Sequence, residues 1–278
     1  MRGKVSVYPF RLEFNETAAA RFPFVFDGSP AAGLSCALSA RRAGDMGFTP
    51  SSGSRPEREA FFRSQGVDPE RVYSLFQVHS RNVYTVGDPP PAFSPEKPGG
   101  TRPAPRESPA AFARQGDGIV SFCRGVFLAL TVADCLPVFL LDTENLFFAA
   151  VHSGWRGTGI ALNALSVMIR AGTRPEAVAA VLGPCIQDCC YRVDEGRADA
   201  FEKEFGGSAG PLGPVVLRGS DGPYIRLQAA NARLLAEAGV RHIAVCENCS
   251  RDDERLGSFR REGPERYTRM AAMAGPFA

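Results

Sequence analysis

Apolar residues are densest in the middle of the chain. "GVFLALTV" (Gly125 to Val132) and "PVFLL" (Pro137 to Leu141) are short runs rich in β-branched and aromatic residues, and "LFFAAV" (Leu146 to Val151) follows after the polar connection "DTEN". Runs of this length and make-up predict three buried strands, the last two as a hairpin. "TGIALNALSVMIRAG" then spaces its apolar positions as a helix does and stops at Gly172, so the chain passes from strand through the turn "HSGWRG" into a helix that begins near Thr158. Further on, "EAVAAVLG" predicts a strand, "DEGRADAFEKEFGG" and "IRLQAANARLLAEAGV" predict helices, and "RHIAVCENC" a final buried strand. Strands and helices mix and include a hairpin, which specifies an α+β fold.

Two segments interrupt this pattern. Asp88 to Arg114 holds eight prolines and few large apolar residues, which predicts a long surface loop, and Gly47 to Glu57 has the same Gly/Ser/Pro character. The apolar segments on either side of the first are too poor to close separate cores, so a single domain over residues 1–278 is expected.

Charge narrows the ligand class. The 32 Lys and Arg against 30 Asp and Glu leave a net charge of +2, and the basic residues are scattered rather than gathered into a stripe. That excludes nucleic acid and an anionic membrane as expected partners and points to a small-molecule substrate. The N-terminus, "MRGKVSVYPFRLEF", has no apolar core of signal-peptide length, and the longest apolar stretch, Gly125 to Leu141, is broken by Asp134 and Pro137. Neither export nor a membrane span is expected, and eight cysteines in such a chain are expected as thiols, metal ligands or packing groups in a reduced cytoplasm.

The chain contains three histidines, and two of them end or interrupt apolar runs: His79 in "SLFQVHSRNV" and His152 in "FFAAVHSGWRG". Cys135, in "LTVADCLPVF", sits at the junction of two predicted strands. Two neutral imidazoles and a thiolate suit zinc, and three protein ligands leave the fourth tetrahedral position open, as in catalytic sites. The separations, 56 residues from His79 to Cys135 and 17 more to His152, match no short zinc motif, so two core histidines and a buried cysteine stand as the alternative.

The turn after His152 adds a second chemistry. Its glycines let backbone approach a ligand, a helix opens behind it, and Arg156 offers a cationic fork; together these suit phosphate, the alternative being a tight turn packed on Trp155. Arg260 and Arg261, in "GSFRREG", form either a surface pair or the other jaw of an anion site. "CIQDCC" (Cys185 to Cys190) and "CENC" (Cys246 to Cys249) allow a competing four-thiolate structural zinc, or a redox pair at Cys246 and Cys249. Burial of Cys246 at a strand end and the adjacency of Cys189 and Cys190 weigh against the zinc, and His242 is expected as an ordinary surface or edge residue.

The blocks "FQVHS", "DGIVS", "TVADCLPV", "AVHSGWRGT", "LGPCIQDCCYRV" and "SFRREG" occur in the order and spacing of the laccase-domain proteins, also called polyphenol oxidoreductases, purine nucleoside phosphorylases or peptidoglycan editing factors. The chain resembles that family from about Phe62 to Met270. The resemblance implies packed mixed β-layers flanked by helices, and it places His79, Cys135 and His152 on the family's zinc-ligand positions. It also implies phosphorolysis of purine nucleosides, with adenosine deamination in relatives. The family's tyrosine before the arginine pair is Phe259 here, and its opening His-Gly-Phe-Ser-Thr-Arg block is represented only by "FPFVFDGS".

The expected activity is therefore that of a zinc-dependent, purine-nucleoside-cleaving pentosyltransferase. Cys135, His152 and Arg156 are its candidate catalytic residues, and Arg156, Arg260 and Arg261 its candidate phosphate contacts. The alternatives are a cysteine hydrolase or amidase acting on peptidoglycan precursors, with Cys135 as nucleophile and His152 as base, and a non-catalytic zinc-binding module. A copper polyphenol oxidoreductase ranks below them, because three histidines cannot supply a multicopper array.

Overall fold

The apolar runs become strands covered on both sides. The computed structural model describes residues 4–47, 56–89, 114–207 and 210–277; the Pro-rich stretch, apart from its ends, and most of Gly47 to Glu57 lie outside them. One mixed sheet has seven strands in the spatial order β1 (Ser6–Phe10), β13 (His242–Cys246), β10 (Val178–Leu182), β8 (Leu136–Asp142), β9 (Phe148–Ser153), β6 (Gly118–Ser121) and β5 (Val83–Val86). A second has five: β2 (Ala19–Phe26), β3 (Ser29–Ser39), β14 (Met270–Gly275), β7 (Phe127–Val132) and β4 (Val72–Ser74). A small hairpin, β11 (Val216–Gly219) with β12 (Gly222–Ile225), stands apart.

The two sheets stack, and side-chain alternation divides the core. Along β8, Leu136, Val138 and Leu140 point into the layer that holds Ile160 and Leu165 of α2 (Ile160–Arg170), Phe201 of α3 (Glu195–Phe205) and Leu235 of α4 (Leu227–Glu237). Phe139 and Leu141 point the other way, against Phe22, Leu38 and Leu128 of the five-stranded sheet. The outer face of that sheet buries Ala37, Ala129 and Met273 under Phe61 and Phe62 of α1 (Pro56–Ser64). Helix, sheet, sheet and helix follow one another, which is the expected α+β arrangement of mixed β-layers flanked by helices. A short helix, α5 (Phe259–Glu262), carries the arginine pair.

Observed boundaries fall close to the predicted ones, and the β8–β9 hairpin forms as expected. Two relationships were not given by the apolar pattern. The strands flanking Cys135, β7 and β8, are not neighbours: they belong to different sheets, so the "ADC" turn carries the chain from one sheet to the other. The N-terminal part, assigned no element from sequence, forms the β2–β3 hairpin. Asp27 and Gly28 both adopt positive φ at its tip, +48° and +78°, the geometry in which an Asp-Gly pair closes two twisted strands.

Candidate functional site

His79, Cys135 and His152 meet. Their potential ligand atoms all lie within 4.8 Å of one another, and the two imidazole rings stand edge to face with centroids 5.0 Å apart. His152 is the penultimate residue of β9, Cys135 immediately precedes β8, and these antiparallel neighbours bring Pro137 opposite His152. His79 does not lie at a strand end as its apolar surroundings suggested. It sits in the loop between β4 and β5, with a left-handed φ of +59°. Asp134, next to Cys135, is likewise left-handed at +83°. Non-glycine residues hold such conformations only where surrounding contacts over-determine them.

For His79 those contacts come from Asp117, a residue to which the sequence reading gave no role. Its fully buried carboxylate accepts the backbone N–H groups of Val78 (3.2 Å), His79 (3.0 Å) and Ser80 (2.6 Å) and the Ser80 hydroxyl (2.8 Å). It also lies 2.9 Å from Nδ1 of His152. An ionised carboxylate only accepts, so Nδ1 carries the proton and Nε2 is left free to ligate, the arrangement that supports metal-binding histidines elsewhere. Gly154 allows the turn after β9 to close over the cysteine, since a Cβ there would come within 2.9 Å of Cys135 Sγ.

The electrostatics follow from this geometry. Burial opposes ionisation of Cys135, yet the charge of His152 and hydrogen bonds from His152 and His79 bring its thiol down to about 6. Burial also disfavours a charged His152; the Cys135 thiolate and Asp117 outweigh it and raise the imidazole to about 9. Burial acts against the Asp117 carboxylate too, but hydrogen bonds and charge from His152 and the donors of Ser80 hold it below its ordinary range. Without a metal, then, Cys135 and His152 form a thiolate–imidazolium pair. Two imidazoles, one thiolate and a carboxylate that fixes the tautomer are a donor set that fits zinc.

The three residues line a cavity of about 510 Å³, within the range of small-molecule sites. Its walls carry aromatic faces from Phe76, Trp155, Tyr191, Phe259 and Tyr267, and guanidinium groups from Arg156, Arg197, Arg260 and Arg269. Arg156 and Arg197 both stack on Trp155, at 5.1 and 4.9 Å from its ring centroids. Arg260 lies over Tyr191, donates to the Arg192 carbonyl (3.0 Å), and sends its backbone N–H to Asp134 (2.6 Å). Phe259 is 47% exposed and meets Tyr267 edge on, so the hydroxyl it lacks leaves an apolar rim.

Arg261 is placed differently from Arg260 and is absent from the cavity lining. Its guanidinium donates to the carbonyls of Ser250 (3.0 Å), Arg251 (2.7 Å) and Leu256, and to Glu262. It ties loops together instead of facing an anion. Behind the turn α2 starts at Ile160, and of the turn itself Trp155 and Arg156 line the cavity. Arg197 is the residue that sequence missed here, reaching the cavity from α3.

The remaining cysteines do not form the four-thiolate set. Cys185 and Cys246 are buried and stand outside it, whereas Cys189, Cys190 and Cys249 converge with Asp252. His242 lies in β13, with Nδ1 3.2 Å from the Tyr8 hydroxyl and Nε2 3.4 Å from Asp27, apart from the cavity. Among the described residues, no helix is long and apolar enough to cross a membrane.

Residues 53–275 match the family model described as multi-copper polyphenol oxidoreductase laccase. A purine nucleoside phosphorylase of Corynebacterium glutamicum is 32% identical over 200 residues, 71% of this chain and 72% of that one. An adenosine deaminase, RL5, from an unknown prokaryotic organism is 33% identical over 141 residues, 49% of this chain and 52% of the relative. Among solved structures, YlmD from Geobacillus stearothermophilus superposes with a TM-score of 0.76 at 26% identity, covering 96% of this chain and 99% of that one.

Proposed function

The chain belongs to the multi-copper polyphenol oxidoreductase laccase family, and on that premise we propose that it cleaves purine nucleosides by phosphorolysis, with zinc held by His79, Cys135 and His152. The observation that carries this reading is the meeting, in one cavity, of an imidazole–thiolate ligand set with arginines and aromatic faces. Zinc held there would supply Lewis-acid polarisation of a water or substrate oxygen. Arg156 and Arg260 hold the phosphate dianion, the first oriented by its stack on Trp155. The aromatic walls accept the purine and sugar and exclude water. A phosphate oxygen bonds to the anomeric carbon as the carbon–nitrogen bond breaks, and the base leaves with the electron pair and takes up the proton that the hydrogen phosphate gives up. The names of the relatives, purine nucleoside phosphorylase and adenosine deaminase, support a purine nucleoside as substrate.

The family's name speaks for copper, but the ligand inventory speaks against an array of it. The sequence has three histidines, one of them at the far site of Tyr8 and Asp27.

A second reading has an observation of its own. The metal-free Cys135–His152 pair, buttressed by Asp117, has the charge state of a cysteine hydrolase dyad. Incubation with adenosine, with and without phosphate, separates the possibilities. Free base and ribose 1-phosphate, formed only with phosphate, support the phosphorylase; inosine formed without it assigns deamination instead. Neither product, together with a covalent adduct on Cys135 from a muropeptide analogue, assigns the hydrolase.

A further inference from the structure

The second thiol cluster lies away from the cavity of His79 and Cys135, and its placement follows from the sheet. Strands β10 and β13 are parallel neighbours, so both chains leave the sheet at the same end. An isolated bridge between Cys185 and Cys249 keeps them paired beyond the strands. The first exit carries Cys189 and Cys190 in a turn; the second carries Cys249 and, three residues on, Asp252.

The donor atoms of these four side chains all lie within 4.8 Å of one another. Sγ of Cys189 is 3.3 Å from Sγ of Cys190 and 3.3 Å from Asp252 Oδ2, while Sγ of Cys190 is 3.0 Å from Oδ1 of the same carboxylate. The Gln187 backbone N–H points at Cys249 Sγ (3.4 Å), and an Arg251 guanidinium nitrogen stands 3.5 Å from Cys190 Sγ. Cys190 and Cys249 are buried; Cys189 and Asp252 are exposed. With Cys249, that exposed pair lines a separate cavity of about 600 Å³, which gives an ion a way in.

We propose that Cys189, Cys190, Cys249 and Asp252 form a second metal site, for zinc, with a structural role. Three thiolates and one carboxylate are soft enough to select zinc over magnesium or calcium, and four protein donors close a tetrahedron with no position left for substrate. The ion joins the exits of β10 and β13 beside the first cavity. Cys190 precedes Tyr191, which lines that cavity, and Cys249 precedes Ser250, whose hydroxyl donates to Asp134 (2.6 Å), the neighbour of Cys135.

The test is zinc stoichiometry, by elemental analysis and native mass spectrometry, on full-length protein purified under reducing conditions. The site is expected to contribute one equivalent that survives His79→Ala/His152→Ala and is lost in Cys189→Ser and, in part, in Asp252→Asn, both exposed positions that spare the core. Cobalt added to the metal-stripped His79→Ala/His152→Ala chain is expected to give a sulfur-to-cobalt charge-transfer band that Cys189→Ser removes. Failure of the first metal site alone leaves this equivalent in place, so the two readings fail separately. The proposal is overturned if zinc content is the same in Cys189→Ser as in wild type. It is equally overturned if the chain purified under reducing conditions is short by the mass of two hydrogens at Cys189–Cys190, which assigns a vicinal disulfide.

Discussion

Asp117 holds His152 twice. Its backbone carbonyl accepts the His152 N–H at 2.7 Å, and its carboxylate meets His152 Nδ1 at 2.9 Å. The first contact belongs to the sheet end and fixes where the residue is; the second fixes which nitrogen faces Cys135. The same carboxylate gathers three successive N–H groups around His79, so one buried acid presents both histidines.

Asp117→Asn tests that dependence. An amide cannot accept from His152 and three N–H groups at once, and its NH₂ group competes for Nδ1. Zinc affinity at the histidine–cysteine site is expected to fall about 10–100-fold, measured by chelator competition in a Cys189→Ser background. Unchanged affinity would show that the ligand geometry stands without Asp117.

The ligands themselves are tested by His79→Ala and His152→Ala. Each is expected to lower zinc content by up to one equivalent, and Cys135→Ala to lower zinc and nucleoside cleavage together. Wild-type zinc in both histidine variants would remove this set from consideration as the metal site.

Arg156 is expected to carry phosphate recognition. Arg156→Ala should raise the Michaelis constant for phosphate by roughly ten- to hundredfold, the equivalent of one charge-assisted contact of about 1.5–3 kcal/mol, with zinc unchanged. Arg156→Lys should recover part of the loss, because an ammonium replaces the charge but not the fork stacked on Trp155. A constant unaffected by Arg156→Ala would move the anion contact to Arg260 or Arg197.

Arg261→Ala should do the opposite. Its guanidinium serves backbone carbonyls, so the variant is expected to lose roughly 1–3 kcal/mol of stability, seen as a lower Tm, and to keep its phosphate constant. Weaker phosphate binding at unchanged Tm would restore Arg261 to the anion site.

Cys135 supplies a pH dependence. In metal-stripped protein its thiol is brought down to about 6, so the reactive thiolate is present above that pH and disappears as the pH falls through it. Alkylation by iodoacetamide, followed at Cys135 by peptide mass, should rise through a midpoint near 6, and reloading with zinc should suppress it. A midpoint at the ordinary thiol value would mean that His79 and His152 do not surround the sulfur in solution.

The central strands could be read from sequence because both their faces are covered: Phe139 and Leu140 are both fully buried, on opposite sides of β8. The β2–β3 hairpin was open to the same kind of reading. Its signal, Asp27-Gly28 between apolar segments, is among the stronger short-range ones, but the mixed polarity around it hid the strands. His79, Cys135 and His152 were selected by residue type and by lying at the edges of apolar runs. Asp117 was not, because an acid before a strand looks like any turn residue, and its partners lie 35 to 39 positions away. Asp252 and Arg197 were missed for the same reason: each works across segments that only the sheet order brings together.

The chain passes from the five-stranded sheet to the seven-stranded one between β4 and β5 and again between β7 and β8. His79 occupies the first of these crossings and Cys135 the second, while His152 belongs to the seven-stranded sheet alone. No single sheet owns the ligand set, so it exists only once the two layers have docked face to face. Tight metal capture should therefore come late in refolding, after the inter-sheet core around Phe139 has closed, and a chain whose layers are slightly misaligned should lose its grip on the ion while its secondary structure is still intact.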